Sequence, residues 1–235
     1  MATVLLVRHG RTTANASGVL AGRTAGVELD DVGREQASRT GLRLAAVPLV
    51  GVVSSPLDRC RQTSGLILDH QSGSPVTPLE DDITECDYGD WQGRTLKELA
   101  AEALWSVVQT QPSAAVFPGG ESLAGMQARS VAAIRRRDAA FEAEHGPGAV
   151  WAAVSHGDII KSILADALGM HLDLFQRITV GPASVSIVRY GPGRPTVHAA
   201  NTDSGDLSWL RANPPEDDAP VGGGAGAQAP SPPRS

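Results

Sequence analysis

Cysteine is nearly absent from this chain: Cys60 and Cys86 are the only two among 235 residues. Two such residues build no disulfide framework and offer no zinc-ligand spacing, so small buried hydrophobes are their simplest role. Lysine is as scarce, at Lys97 and Lys161 only, so that arginine carries nearly all of the positive charge. A formal net charge of −6 weighs against nucleic acid or an anionic membrane surface as the main partner. It leaves room for a local cationic pocket, because net charge says nothing about a site. No apolar run approaches the roughly 20 residues needed to span a bilayer. The sequence opens directly on a strand, without a basic segment, apolar stretch and cleavage site. The expectation is a cytoplasmic protein.

What is present suits a single α/β domain. Hydrophobic content of 41% and charged content of 20% are those of soluble globular proteins. Apolar strand-like runs at Val4–Val7, Val50–Val53 and Ala149–Val154 alternate with helical stretches at 34–47, 57–69, 122–144 and 159–168. Val76–Leu79 is a further candidate strand, and Val185–Tyr190 and Thr196–Ala200 are close enough to pair. Asp30-Asp31 and Ser122 are candidate helix caps. Alternation of this kind predicts a three-layer α/β/α sandwich around a mainly parallel sheet. From Asn213 onward ten of the last 23 residues are Pro or Gly, and little could anchor a core. The expected organisation is therefore a domain over 1–212 and a disordered tail over 213–235.

Two of the expected strands end in the same pair of residues. Val4–Val7 runs into Arg8-His9-Gly10, and Ala149–Val154 runs into Ser155-His156-Gly157. A third ends in Ser54-Ser55-Pro56-Leu57-Asp58-Arg59-Cys60-Arg61-Gln62-Thr63. Ligands sit at the carboxyl ends of strands in open α/β sheets, so a shared edge would gather two histidines and at least two arginines. The guanidinium fork suits phosphate oxygens, and a neutral imidazole is a competent nucleophile toward phosphorus. Taken singly, each residue reads as an ordinary surface side chain. Their recurrence after strands points to phosphoryl chemistry.

In these motifs the sequence resembles the histidine phosphatase superfamily, with its phosphoglycerate-mutase-like fold. Arg8-His9-Gly10 with Thr12 and Asn15 is similar to the signature whose histidine becomes phosphorylated. Arg59 falls where the second motif binds phosphate. Glu85-Cys86-Asp87-Tyr88-Gly89-Asp90-Trp91 resembles the third, whose leading glutamate is the proton donor, and His156 matches the second pocket histidine. The resemblance implies catalytic roles for His9, Glu85, Arg8, Arg59 and His156. It also implies substrate contacts by Asn15, Gly22 and Gly157, and it makes Arg11, Glu121 and Ser122 candidates for substrate choice. Arg11 stands where many members carry glutamate. The third motif looks like that of the phosphatase branch, which favours hydrolysis over phosphoryl transfer within one substrate.

The function so implied is a phosphomonoesterase working through a phosphohistidine on His9 with Glu85 as general acid and base. A phosphoglycerate-type phosphomutase is the alternative, and a non-catalytic phospho-ligand-binding protein a third. No metal and no cofactor are expected, because arginines supply the positive charge and no acidic cluster has ligand spacing. The expected partner is a small phosphorylated substrate, with a second copy of the chain as a candidate for homodimerisation.

Overall fold

The structure is a computed structural model that describes residues 2–191, 193–205 and 221–224. Five strands form one sheet: β1 (Thr3–Arg8), β2 (Gly51–Ser54), β3 (Val150–Ser155), β4 (Val185–Arg189) and β5 (Thr196–Thr202), in the order β2-β3-β1-β4-β5. The first three in that order are parallel; β4 runs antiparallel to β1, and β5 antiparallel to β4. The sheet is thus mixed, a parallel half carrying an antiparallel hairpin on one edge. Val76–Leu79 does not become a sixth strand. It runs alongside β2 through hydrogen bonds of Val76 N to Val50 O, Val52 N to Val76 O, Ser54 N to Pro78 O and Glu80 N to Ser54 O, but Pro78 lacks the N–H that would join them into one ladder, and two isolated bridges result.

Seven α-helices are described: α1 (Thr13–Ala16), α2 (Asp31–Leu44), α3 (Asp58–Leu68), α4 (Leu96–Leu99), α5 (Ala103–Thr110), α6 (Leu123–His145) and α7 (Gly157–Ala167). Side-chain alternation along β1 separates the two faces of the sheet. Leu5 and Val7 join Val52, Val154, Leu44 of α2 and Ile67 of α3 in one core. Val4 and Leu6 join Trp151, Ala153 and the apolar residues of α6 and α7 in the larger one. The three layers anticipated from the alternation of elements are present. The caps are where the sequence puts them: Asp30 accepts from Gly33 N, and Ser122 from Gly125 N. No helix among the described residues is long and apolar enough to cross a membrane.

Register places the three motif-bearing strand ends together. Arg8 pairs with Ser155, and Ser54 with Val154, so His9, Ser55 and His156 leave adjacent parallel strands at the same edge. His9 is stapled on both sides: its N–H donates to Ser155 O at 2.9 Å, and its carbonyl accepts from Ala183 N at 3.1 Å. The turn after it is held by backbone packed on backbone. A Cβ on Gly10 would stand 2.3 Å from Gly33 O, and one on Gly33 would stand 1.9 Å from Arg11 O. Only glycine fits at either position.

Of the tail expected to be disordered over 213–235, residues 221–224 are placed against the domain; the rest of it lies outside the described residues. Val221 is buried in the larger core. Gly222 N donates to Asp158 Oδ2 at 3.1 Å, while Gly222 O and Gly224 O accept from Arg8 Nη2 at 3.3 and 2.7 Å. Gly222 adopts φ +72, and a Cβ there would meet Leu20 Cδ1 at 2.8 Å. Polar grips on both edges of a peptide bind without a large apolar side chain, which is why composition missed this segment.

Candidate active site

The pocket lies at the strand edge, lined by His9, Thr12, Asn15, residues 18–22, Arg59, Glu85, Tyr88, Leu96 and the 221–224 strap. With the strap in place the cavity is about 20 Å³, enough for about one water molecule. His9 and His156 meet edge to face with ring centroids 5.3 Å apart, both buried.

His9 has its tautomer fixed from two sides. Its Nδ1 lies 2.7 Å from Gly10 O and donates to it, since a carbonyl can only accept. Arg59 Nε, a donor, lies 3.3 Å from Nε2, which must therefore carry the lone pair. The ring is held neutral: burial pushes its pKa well below 6.5, and the Arg59 and Arg8 guanidiniums push it further down. His9 thus presents an unprotonated Nε2 at neutral pH. Thr63 supports the same turn, accepting from Gly10 N at 3.1 Å while donating to Arg59 O at 2.8 Å.

Arg59 enters from the first turn of α3 and donates through Nη2 to Gly22 O at 2.7 Å. Its Nη1 is buried without a hydrogen-bond partner. A buried guanidinium N–H left unmet beside a pocket is a donor placed for an anion. Arg8, at the end of β1, spends Nη1 on Val180 O at 2.8 Å and Nη2 on the strap. Burial lowers its pKa to about 10, so it stays cationic at neutral pH.

Glu85 sits where its carboxyl titrates near neutrality. Burial, with the Asp158 charge next, lifts its carboxyl to about 7, against the opposing pull of Arg59 and Arg8. Oε1 accepts from Cys86 N at 3.0 Å, and Oε2 stands 4.0 Å from His156 Nδ1. Arg23 and Arg129 hold the Glu85 carbonyl at 2.8 and 3.2 Å. His156 is likewise kept neutral, chiefly by burial and then by Arg59. It contributes hydrogen-bonding capacity here, with its charge suppressed.

The remaining candidates separate. Asn15 and Gly22 line the pocket, Asn15 with Oδ1 already taken by Thr12. Arg11 turns away to pair with Asp30 at 2.8 Å, beside the cap of α2. Glu121 is saturated by Arg23, Arg129 and Asp87 N, so it ties the Glu85 loop to α6 and has no oxygen to spare. Ser122 is spent as a helix cap, and Gly157 opens α7 behind His156. Sequence reasoning gave no role to a buried chain beneath the pocket, in which Asp158 accepts from Tyr88 Oη at 2.7 Å and from Lys161 Nζ at 3.3 Å, and Lys161 reaches Gln176 at 2.9 Å. The i,i+3 spacing of Asp158 and Lys161 was the available signal. Arg129 had none; besides Glu121, eight residues back, its partners Asp82 and Glu85 are 47 and 44 residues away.

A neutral imidazole with a bare Nε2, flanked by guanidiniums and by an acid titrating near neutrality, defines a phosphoryl-transfer site of the phosphohistidine kind. Residues 4–203 match the family model of the histidine phosphatase superfamily (branch 1), and the chain belongs to that family. It is 31% identical over 176 residues to a glucosyl-3-phosphoglycerate phosphatase of Mycolicibacterium vanbaalenii, covering 72% of this chain and 76% of that one. It is also 31% identical over 166 residues to phosphoglycerate mutase-like protein 4 of Arabidopsis thaliana, covering 69% of each. The fold superposes on Bacillus stearothermophilus YhfR with a TM-score of 0.78 at 24% identity, covering 87% of this chain and 98% of that one.

Proposed function

We propose that this chain is a phosphomonoesterase acting on a small phosphorylated substrate through a phosphohistidine on His9. The observation that carries the reading is the pairing of the His9 Nε2 lone pair with the unmet, buried Nη1 of Arg59 at one pocket. His9 Nε2 attacks phosphorus in line, the P–O bond to the alcohol breaks, and protonated Glu85 gives its proton to the leaving oxygen. Water then attacks the phosphohistidine and passes a proton to the Glu85 carboxylate, the P–N bond breaks, and orthophosphate departs. Arg59 and Arg8 face the charge spread over the phosphoryl oxygens, which is where most of the acceleration in phosphoryl transfer arises. The tight burial of Glu85 supports its role as acid, since a carboxyl near 7 is half protonated at neutral pH.

The reading is tested by phosphate release from a panel of sugar phosphates, phosphoglycerates and glycosylated phosphoglycerates, the last suggested by the mycobacterial relative. Release should require no bisphosphate primer, which a mutase would need. Acid-sensitive, base-stable phosphate on the quenched enzyme should disappear in His9→Ala. Normal turnover by His9→Ala would refute the mechanism.

A further inference from the structure

His9 and His156 are both neutral and buried side by side, yet different neighbours hold their ring nitrogens. Gly10 O and Arg59 fix which His9 nitrogen is bare. For His156 the anchor is Ser55, the residue immediately after β2, whose Oγ lies 2.8 Å from Nε2 with both side chains fully buried. A serine hydroxyl and a neutral imidazole nitrogen can bond with the proton on either partner, so the surroundings must decide. Ser55 Oγ receives the Leu57 N–H at 3.5 Å, which uses it as an acceptor. Its own proton has two acceptors in reach, His156 Nε2 at 2.8 Å and the Cys60 sulfur, and a thiol sulfur is much the weaker of the two. The Cys60 thiol stands 3.4 Å from Nε2, and its proton has an outlet in Ser155 O at 3.6 Å. Ser55 O–H therefore donates to Nε2, and the ring proton falls on Nδ1. Which nitrogen of a histidine is protonated is set by the bond the other nitrogen makes.

We propose that Ser55 is a positioning residue whose hydroxyl locks His156 in the Nδ1–H tautomer, so that His156 serves as a neutral N–H donor to the transferring phosphoryl group. Nδ1 is the atom that faces Glu85, a residue of the pocket lining, across 4.0 Å. In the opposite tautomer a lone pair would face the phosphoryl oxygens and repel them. Free neutral histidine favours that opposite, Nε2–H form in water, so the lock works against the intrinsic preference. Low pKa values at both histidines are consistent with the neutral pair, because Arg8 and Arg59 already crowd the site with charge. The donor role rests on the phosphatase reading; the tautomer does not.

The experiment uses the full chain with nitrogen-15 histidine and reads the two-bond nitrogen–proton correlations at neutral pH. The His156 signals are assigned by their loss in His156→Gln. Wild type should show Nδ1 protonated and Nε2 bare. Ser55→Thr keeps the hydroxyl and should keep both the pattern and the activity. Ser55→Ala should move His156 toward Nε2–H and lower kcat by roughly 10–100-fold, the scale seen when a partner that orients a histidine ligand is removed, with KM changed far less. An Nε2–H pattern in wild type overturns the proposal, whether or not Ser55→Ala folds. So does a Ser55→Ala variant with wild-type correlations or wild-type kcat. A wild type that shows the Nδ1–H pattern but releases phosphate from no ester refutes the phosphatase reading instead.

Discussion

Replacing Glu85 with glutamine tests the acid and the burial that makes it one. The carboxyl titrates near 7 in the fold against an ordinary 4.5, a gap of 2.5 units, or about 3 kcal/mol at about 1.4 kcal/mol per unit. The sign follows from proton counting. Between these two values the native state holds the proton and the unfolded state has released it, so stability is fully present below pH 4.5 and is lost as pH rises through 7. Glutamine stays neutral throughout. Urea unfolding from pH 5 to pH 8 should show wild type losing most of that 3 kcal/mol relative to Glu85→Gln, while the charging of His9 and His156 at low pH affects both alike. Activity should follow the same titration. On an alkyl phosphate, kcat/KM of wild type should fall about tenfold per pH unit above 7, and Glu85→Gln should lie roughly 10²–10⁴-fold lower at pH 6. On a nitrophenyl phosphate, whose leaving group needs no proton, the loss should be much smaller. Parallel stability curves for the two proteins would refute the buried, protonated Glu85. Equal losses on the two substrates would show that another group protonates the leaving oxygen.

Gly33→Ala drives a methyl to 1.9 Å from Arg11 O, so it should cost about 1–3 kcal/mol and lower Tm by roughly 2–12 °C; an unchanged Tm would show that the Gly10–Gly33 contact yields freely. Activity should persist in excess EDTA without added divalent ion, because Arg8 and Arg59 carry the charge at the pocket; loss on chelation and recovery with Mg²⁺ or Zn²⁺ would count against the mechanism. Truncation before Asn213 removes the strap, and should lower stability through the loss of buried Val221 while tightening inhibition by orthophosphate severalfold. An unchanged inhibition constant would show that the strap and phosphate do not compete.

Strand ends and helix caps were legible because each is written in a few adjacent residues. The run from Val4 to Gly10, the cap at Asp30 and the cap at Ser122 needed no distant information. The three strand-end motifs likewise converge because parallel register aligns Arg8 with Ser155 and Ser54 with Val154. What escaped depended on contacts distant in sequence. Glu121 is an anchor because Arg23 reaches it from 98 residues away. Arg11 is drawn off by Asp30 across a turn that two glycines make tight. The β4–β5 hairpin was foreseen as a pair, but its antiparallel seat beside β1 follows from backbone connection, which composition does not carry. Ser55 was visible only as the end of a strand, since its partner lies 101 residues on.

The strap at 221–224 can also be viewed as a ligand that never leaves. Its carbonyls hold Arg8, and its amide holds Asp158, in the pocket that a phosphoryl group would enter. A tethered competitor acts at a fixed local concentration, whatever the concentration of protein. The affinity of any substrate is then its intrinsic value scaled by the fraction of molecules whose strap has let go. Esters able to grip Arg8 strongly would enter, and weak or partial mimics would be held out by the chain itself. The site would thus set a threshold on its ligands as well as a shape.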